Sequence, residues 1–308
     1  MSDRKRRRGA GALGGSSLAA LASVLLVTCA ASAEASWQGS LTAGVVYQGW
    51  TDIDDPDGEF DFWEGHFTGS ATRRLGEESR WGISLQGEYR AFSYRFDGLP
   101  LDAGWDDAHI VRLSPRLTYA LDPKWTLFGG PIAEFSGESG ADFSKSMRGG
   151  ALLGFQWRPR EGLMIGLGVL GMNQIGGDFL FQPIVLLDWQ ITERWRITTQ
   201  SWTSRGGELS ILYSLGQDWT LSLSGGRAQE RFRLDGSEAT VGKGVGEESS
   251  LPFTLMLSKL LSDRLELSVY AGVVVDGELR VEDQTGNNVG VSDYERSFFG
   301  GAAVKLSF

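Results

Sequence analysis

Cysteine occurs once in the 308 residues, histidine twice and proline only eight times, and no apolar run is long enough to cross a bilayer as a helix. One cysteine excludes a disulfide framework and a thiolate metal centre. Two histidines leave few ways to build a nucleophile with an adjacent base. Walker-type phosphate loops, dinucleotide fingerprints and Cys/His metal clusters are missing, so neither a cofactor nor a metal is expected. Positive charge is also scarce, with 29 Lys and Arg against 39 Asp and Glu, which argues against a nucleic-acid partner.

The basic residues that do occur are concentrated at the start. Arg4, Lys5, Arg6, Arg7 and Arg8 precede a small, apolar stretch from Leu13 to Val27, and Ala31-Ser32-Ala33 forms an A-x-A site. That order is a secretory signal peptide over 1–33, leaving a mature chain of 34–308. An uncleaved anchor is the alternative, but the apolar run is short and diluted by Gly and Ser. The arginine pairs lack the bulky apolar residues of a twin-arginine signal, so general secretion is the expected route. Cys29 lies inside the signal behind Thr28, where a lipoprotein site would want a small residue. Cleavage removes five bases and one acid, taking the formal charge from −10 to −14.

Period-2 alternation dominates the remainder. Leu265, Leu267, Val269, Ala271, Val273 and Val275 alternate with Glu266, Ser268, Tyr270, Gly272 and Val274, and the last residues, Phe298 to Phe308, do the same. Recurrent Gly and β-branched residues oppose a helical reading. Tight polar turns at 76–80, 122–124, 159–162, 192–194, 216–218 and 262–264 alternate with longer segments at about 50–61, 96–108, 137–147, 173–178, 230–248 and 277–293, with a short Arg205-Gly206-Gly207 link in the series. The runs between them predict strands at 37–49, 62–74, 81–95, 109–121, 125–136, 148–158, 163–172, 179–191, 195–204, 208–215, 219–229, 250–261, 265–276 and 294–308. The fold class is therefore all-β: a transmembrane antiparallel up-and-down β-barrel of about 14 strands, with 12 as the alternative count, short turns on the periplasmic side and longer loops outside.

Trp81, Trp125, Trp195 and Trp219 each follow a short turn directly, and Trp37 opens the first strand. An amphipathic ring at one repeated depth reads as a membrane-interface girdle. The competing reading is a set of core tryptophans in a soluble sandwich, which would not place them at a fixed offset from the turns. The end of the chain, with Leu306 and Phe308 on an alternating strand, resembles the signal read by the barrel assembly machinery, although Ala303 stands where such signals usually carry Gly. The segments 120–127 and 183–195 resemble hairpins of a family of bacterial outer-membrane barrels classed only as a domain of unknown function. The resemblance implies a barrel in the cell outer membrane and no activity.

Assigning the oily face to lipid turns Glu64, His66, Glu88, Arg90, Arg112, Arg116, Glu134, Arg148, Asp188, Arg196, Glu266 and Lys305 into the lumen, together with Gln182, Gln190 and Gln200. Such an interior implies a mixed-charge pore for small solutes. It equally suits a closed barrel, paired up inside, that acts through acidic outer loops. A lipid- or lipopolysaccharide-modifying enzyme is a remote third reading: His66 shares a face with Thr68 and Ser70, and His109 falls at a loop edge without an evident partner. Residues 52–61 are acidic and superficially calcium-like, but Pro56 and the displaced Gly58 break the EF-hand spacing. The first strand begins almost at the cleavage site, leaving no room for a plug or hatch domain. Outer-membrane lipids and lipopolysaccharide are the expected surroundings, and the oligomeric state is not legible. N-terminal mass spectrometry of the exported protein is expected to find Glu34 as its first residue.

Overall fold

A membrane-crossing sheet cannot leave a row of backbone groups unpaired, so the strands must close into a ring. The computed structural model describes residues 37–54, 58–76, 79–98, 105–199, 207–236 and 242–308. Its strands are β1 (Gln38–Ile53), β2 (Gly58–Arg74), β3 (Trp81–Asp97), β4 (Asp107–Ala120), β5 (Trp125–Glu138), β6 (Met147–Arg160), β7 (Leu163–Asn173) and β8 (Phe179–Gln190). They continue with β9 (Trp195–Thr198), β10 (Gly207–Gly216), β11 (Trp219–Arg233), β12 (Val245–Ser262), β13 (Leu265–Glu282), β14 (Asn288–Tyr294) and β15 (Ser297–Ser307). Sequential strands pair antiparallel, and β15 joins β13 to β1, with Ser40 opposite Ser307 and Gln48 opposite Phe299. This is a closed antiparallel barrel of 14 strands, because β14 and β15 are two pieces of one strand interrupted at Glu295–Arg296. The predicted signal over 1–33 lies outside the described residues.

Three expected loops are largely strand. Pairing runs on through much of 50–61, 230–248 and 277–293, as the outer ends of β1 and β2, β11 and β12, and β13 and β14. Past the bilayer the outer face no longer has to be apolar, so pairing persists while the hydrophobic alternation stops. Bulges also change which residues face inward. At Gly49–Trp50 in β1 the buried set passes from Val46 and Gln48 to Thr51 and Ile53. At Asp276 in β13, held at φ 53, it passes from Tyr270 and Val274 to Leu279 and Val281. Within 137–147 lies one turn of helix, α1 (Phe143–Ser146), capped by the Asp142 carboxylate. The expected strand 195–204 is described only over Trp195–Thr198, and Gln200 with most of the 205–207 link lies outside the described residues. Other strand ends move by one to three residues.

The outward face carries large apolar side chains that the described residues leave uncovered, such as Leu153, Phe181 and Phe298, the last 75 % exposed. No helix among the described residues is long and apolar enough to span a membrane. Trp81, Trp125, Trp195 and Trp219 are the first residues of β3, β5, β9 and β11, and Trp37 immediately precedes β1. Their rings meet aromatic rings on neighbouring strands: Trp81 with Tyr119 at 4.6 Å, Trp125 with Trp157 at 5.7 Å and Trp195 with Tyr213 at 4.6 Å.

Close approach of strands depends on glycine where β4 meets β5. A Cβ on Gly130 would lie 2.0 Å from the Pro115 carbonyl oxygen and 3.0 Å from Arg116 Cα, whereas one on Gly65 would meet nothing within 4 Å. Gly130→Val is therefore expected to destabilise the barrel by about 1–3 kcal/mol. Gly65→Ala should be neutral, and the loss of heat-modifiable gel mobility as temperature rises checks both.

Candidate functional site

At the end bearing the long connections, the outer end of β11, with the β12 segment paired to it, forms an extension that reaches β5, while β12 stays paired with β13. Arg233 of β11 pairs in parallel with Gly137 of β5, although five strands separate the two around the ring. Ser136 Oγ donates to the Arg231 carbonyl at 2.8 Å, and the Asp235 backbone N–H donates to Glu138 Oε2 at 2.7 Å. Arg90 of β3 clasps Glu230 of β11 through both guanidinium nitrogens, Nη2 to Oε2 at 2.7 Å. Tyr94 and Tyr294 donate to opposite oxygens of Glu248 at 2.7 and 3.1 Å.

The space between the extension and the wall is filled by rings. Trp105 packs edge-on against Phe232 at 5.1 Å and against Tyr94 at 5.7 Å, and Phe60 against Tyr294 at 5.0 Å. Ile53, Phe62, Phe92, Leu234, Val245 and Leu279 complete a buried apolar cluster. The other face of the hairpin is covered too: Arg231 donates Nε to the carbonyl of buried Ile175 at 2.8 Å, in the β7–β8 turn, and pairs with Glu247 and Glu282. Freeing Phe232, Leu234, Val245 and Trp105 to water would cost roughly 6–12 kcal/mol as an upper figure. Among the described residues this end of the interior is therefore packed.

Below it, the inward charges are knitted together. Arg148, Glu134, Arg112, Glu88, Arg90 and Glu230 form a continuous alternating chain across five strands, with Arg112 Nε to Glu134 at 2.7 Å and Arg90 Nε to Glu88 at 2.9 Å. Glu88, Arg90 and Glu134 are almost wholly buried. Toward the opposite end, Arg196 donates two 2.7 Å bonds to Asp188, Glu266 sits opposite Lys305, and the Arg116 guanidinium lies 5.4 Å from the Phe128 ring. Arg196 and Asp188 are partly exposed, so this end is wetter than the mouth.

Glu64 and His66 face a small cavity shared with Val46, Glu208, Pro252, Thr254, Tyr270 and Phe299, and a second is lined by Phe62, Phe92, Ala228, Glu230, Glu248 and Ser250. Each offers about 10 Å³ to the centre of a water, room for roughly one molecule. His66 Nδ1 lies 3.4 Å from Glu64, but neither ring nitrogen makes a hydrogen bond. Ser70 is bonded to Ser40 instead. No base–nucleophile pair is assembled at His66. His109, expected to lack a partner, has two: Nδ1 meets Tyr89 Oη of β3 at 3.1 Å and Nε2 meets Ser139 Oγ, in the turn after β5, at 3.0 Å, contacts that spacing along one strand does not show. At the end of the acidic 52–61 segment, the expected loop gives way to strand. Asp61 is buried in β2, accepting from Arg95 Nε at 2.7 Å and Tyr47 at 3.1 Å. No metal-binding group is found among the described residues.

At the closing seam Leu306 faces outward, and Phe308 exchanges backbone hydrogen bonds with Gly39. The closure residues Glu138, Glu230 and Glu248 lie in or beside segments expected to be irregular. Only the two-residue spacing of Glu230, Phe232 and Leu234 could have marked that stretch as strand.

No family model matches the chain, so the hairpin resemblance has no family model behind it, and no curated protein matches its sequence. Similar solved structures include an outer-membrane channel from Pseudomonas putida F1, at 12 % identity and TM-score 0.47, covering 88 % of this chain and 96 % of that one. The P. putida toluene transporter TodX is similar at 10 % identity and TM-score 0.46, over 91 % and 92 %. The NanC porin follows at 13 % and 0.39, over 86 % and 98 %. Likenesses this distant carry no argument; the fold rests on the chain's own strand pairing.

Arg90→Met would strand Glu230 in the packed mouth and is expected to cost about 3–5 kcal/mol. Arg90→Met with Glu230→Met should cost less than the sum of the single changes, as read by urea unfolding followed by tryptophan fluorescence.

Proposed function

We propose that this chain is an outer-membrane transport barrel, shut at its extracellular mouth at rest, that passes a small solute when the β11–β12 extension leaves the mouth. The charged interior carries the reading. Ionised groups taken out of water cost several kcal/mol each, and an apolar filling would close a purely structural barrel more cheaply. Ionisable residues inside a membrane protein therefore point to a path. The outward apolar band, the tryptophans at the strand starts and the expected signal peptide support an outer-membrane site. Lipid and lipopolysaccharide would surround the band, Leu306 and Phe308 would present the chain to the assembly machinery, and no cofactor is needed. Glu64, His66, Glu88, Arg90, Arg112, Arg116, Glu134, Arg148, Asp188, Arg196, Glu266 and Lys305 would line the path.

The packed mouth favours a second reading, a closed barrel acting through its outer surface. Engineered cysteines separate the two. A Cβ on Gly140 would lie 3.7 Å from Asp235 Cβ, within disulfide range, at the cost of a positive φ of 97°. In planar bilayers the wild-type protein is expected to give infrequent conductance steps. Oxidised Gly140→Cys/Asp235→Cys should be silent, and reduction should restore the steps. A folded barrel that never conducts, oxidised or reduced, would support the surface reading instead.

A further inference from the structure

Glu138 is the last residue of β5, thirteen residues above Trp125. At about 3.4 Å per residue and a tilt near 40° that is roughly 34 Å along the barrel axis, beyond an apolar band of about 25 Å. Its carboxylate stands on the seam itself, receiving the Asp235 N–H beside the Arg233–Gly137 bridge. The charges around it are chiefly acidic. Asp235 comes from the extension and Asp107 from the start of β4, 3.6 Å from His109, while the backbone N–H of Asp106 donates to Glu138. Asp142 and Lys145 belong to the α1 turn, and the nearby Arg233 guanidinium is turned to the carbonyl of Lys243 at 3.1 Å.

We infer that protonation of Glu138 is a switch on the mouth: the seam between β5 and the β11–β12 extension holds best with a neutral carboxyl there and loosens when that carboxyl ionises. The inference rests on reading the mouth as a moving closure. Burial, the largest cause, together with the carboxylates of Asp235 and Asp107, pushes Glu138 up to about 7, against hydrogen bonds from the backbone N–H groups of Asp235 and Asp106. An open mouth would return it to an ordinary carboxylate. The sign follows: the closed form binds the proton more tightly, so the added stability of closure is complete below the ordinary pKa and is lost as pH rises through about 7. The closed-to-open ratio is expected to fall on the order of 10²-fold across that window.

Hydrogen exchange of the backbone amides of 230–236, corrected for intrinsic rates, tests this on the whole folded barrel and needs no solute to pass. Protection should drop about 10²-fold between about pH 5 and about pH 8.5 in the wild-type protein. Glu138→Gln should hold its protection across the range, and Asp235→Asn should move the drop to lower pH by removing a like charge. His109→Gln should leave the drop in place. Flat protection in the wild-type protein, or an equal drop in Glu138→Gln, would overturn the switch. If protection switches with pH but the disulfide pair never conducts, the switch stands and the transport reading falls.

Discussion

Every feature of this protein depends on ring closure, the demand that each strand find hydrogen-bond partners on both edges where water cannot supply them. The last strand meets the first from Ser40 to Gln48, and the chain's final residue is bonded back to Gly39. Closure divides the side chains into two populations. One is apolar and faces outward; the other faces inward, where its charges pair mostly within a strand or with the neighbouring one and only Arg90–Glu230 joins strands far apart among the ion pairs described.

The inward population behaves differently at the two ends. Where β9, β13 and β15 lie close to the short turns, Arg196 and Asp188 keep some contact with water. Toward the long connections the extension of β11 meets β3 and β5, and the inward positions are filled by Phe60, Phe62, Trp105 and Phe232. Charge and ring packing cooperate there. Arg90 is held between Glu88 and Glu230, so the wall and the extension share one ion-pair chain, while the aromatic cluster excludes the water that would weaken it.

Legibility followed the membrane. Between the interfaces, alternation such as that in β13 and the short polar turns made the strand count readable, because lipid demands an apolar residue at every second position. Beyond the interface that demand ends. Residues 277–282 and 288–294 pair as strands yet look irregular, since the bulge at Asp276 reverses the faces and the exposed side is free to be polar. The partners of His109, and the burial of Asp61 at the end of an expected loop, were missed for a related reason: their partners come from neighbouring strands or across a turn.

From the amino-acid order alone came the barrel, its approximate strand number, its faces and the list of inward charges, since period-2 patterning is a local consequence of burying one face in lipid. Which charges meet, and that the end bearing the long connections is packed, was decided only in three dimensions. Arg90 and Glu230 are 140 residues apart, and Gly137 and Arg233 belong to strands far apart around the ring. Contacts across the lumen depend on where the extension of β11 reaches, and no periodicity along a single strand records that.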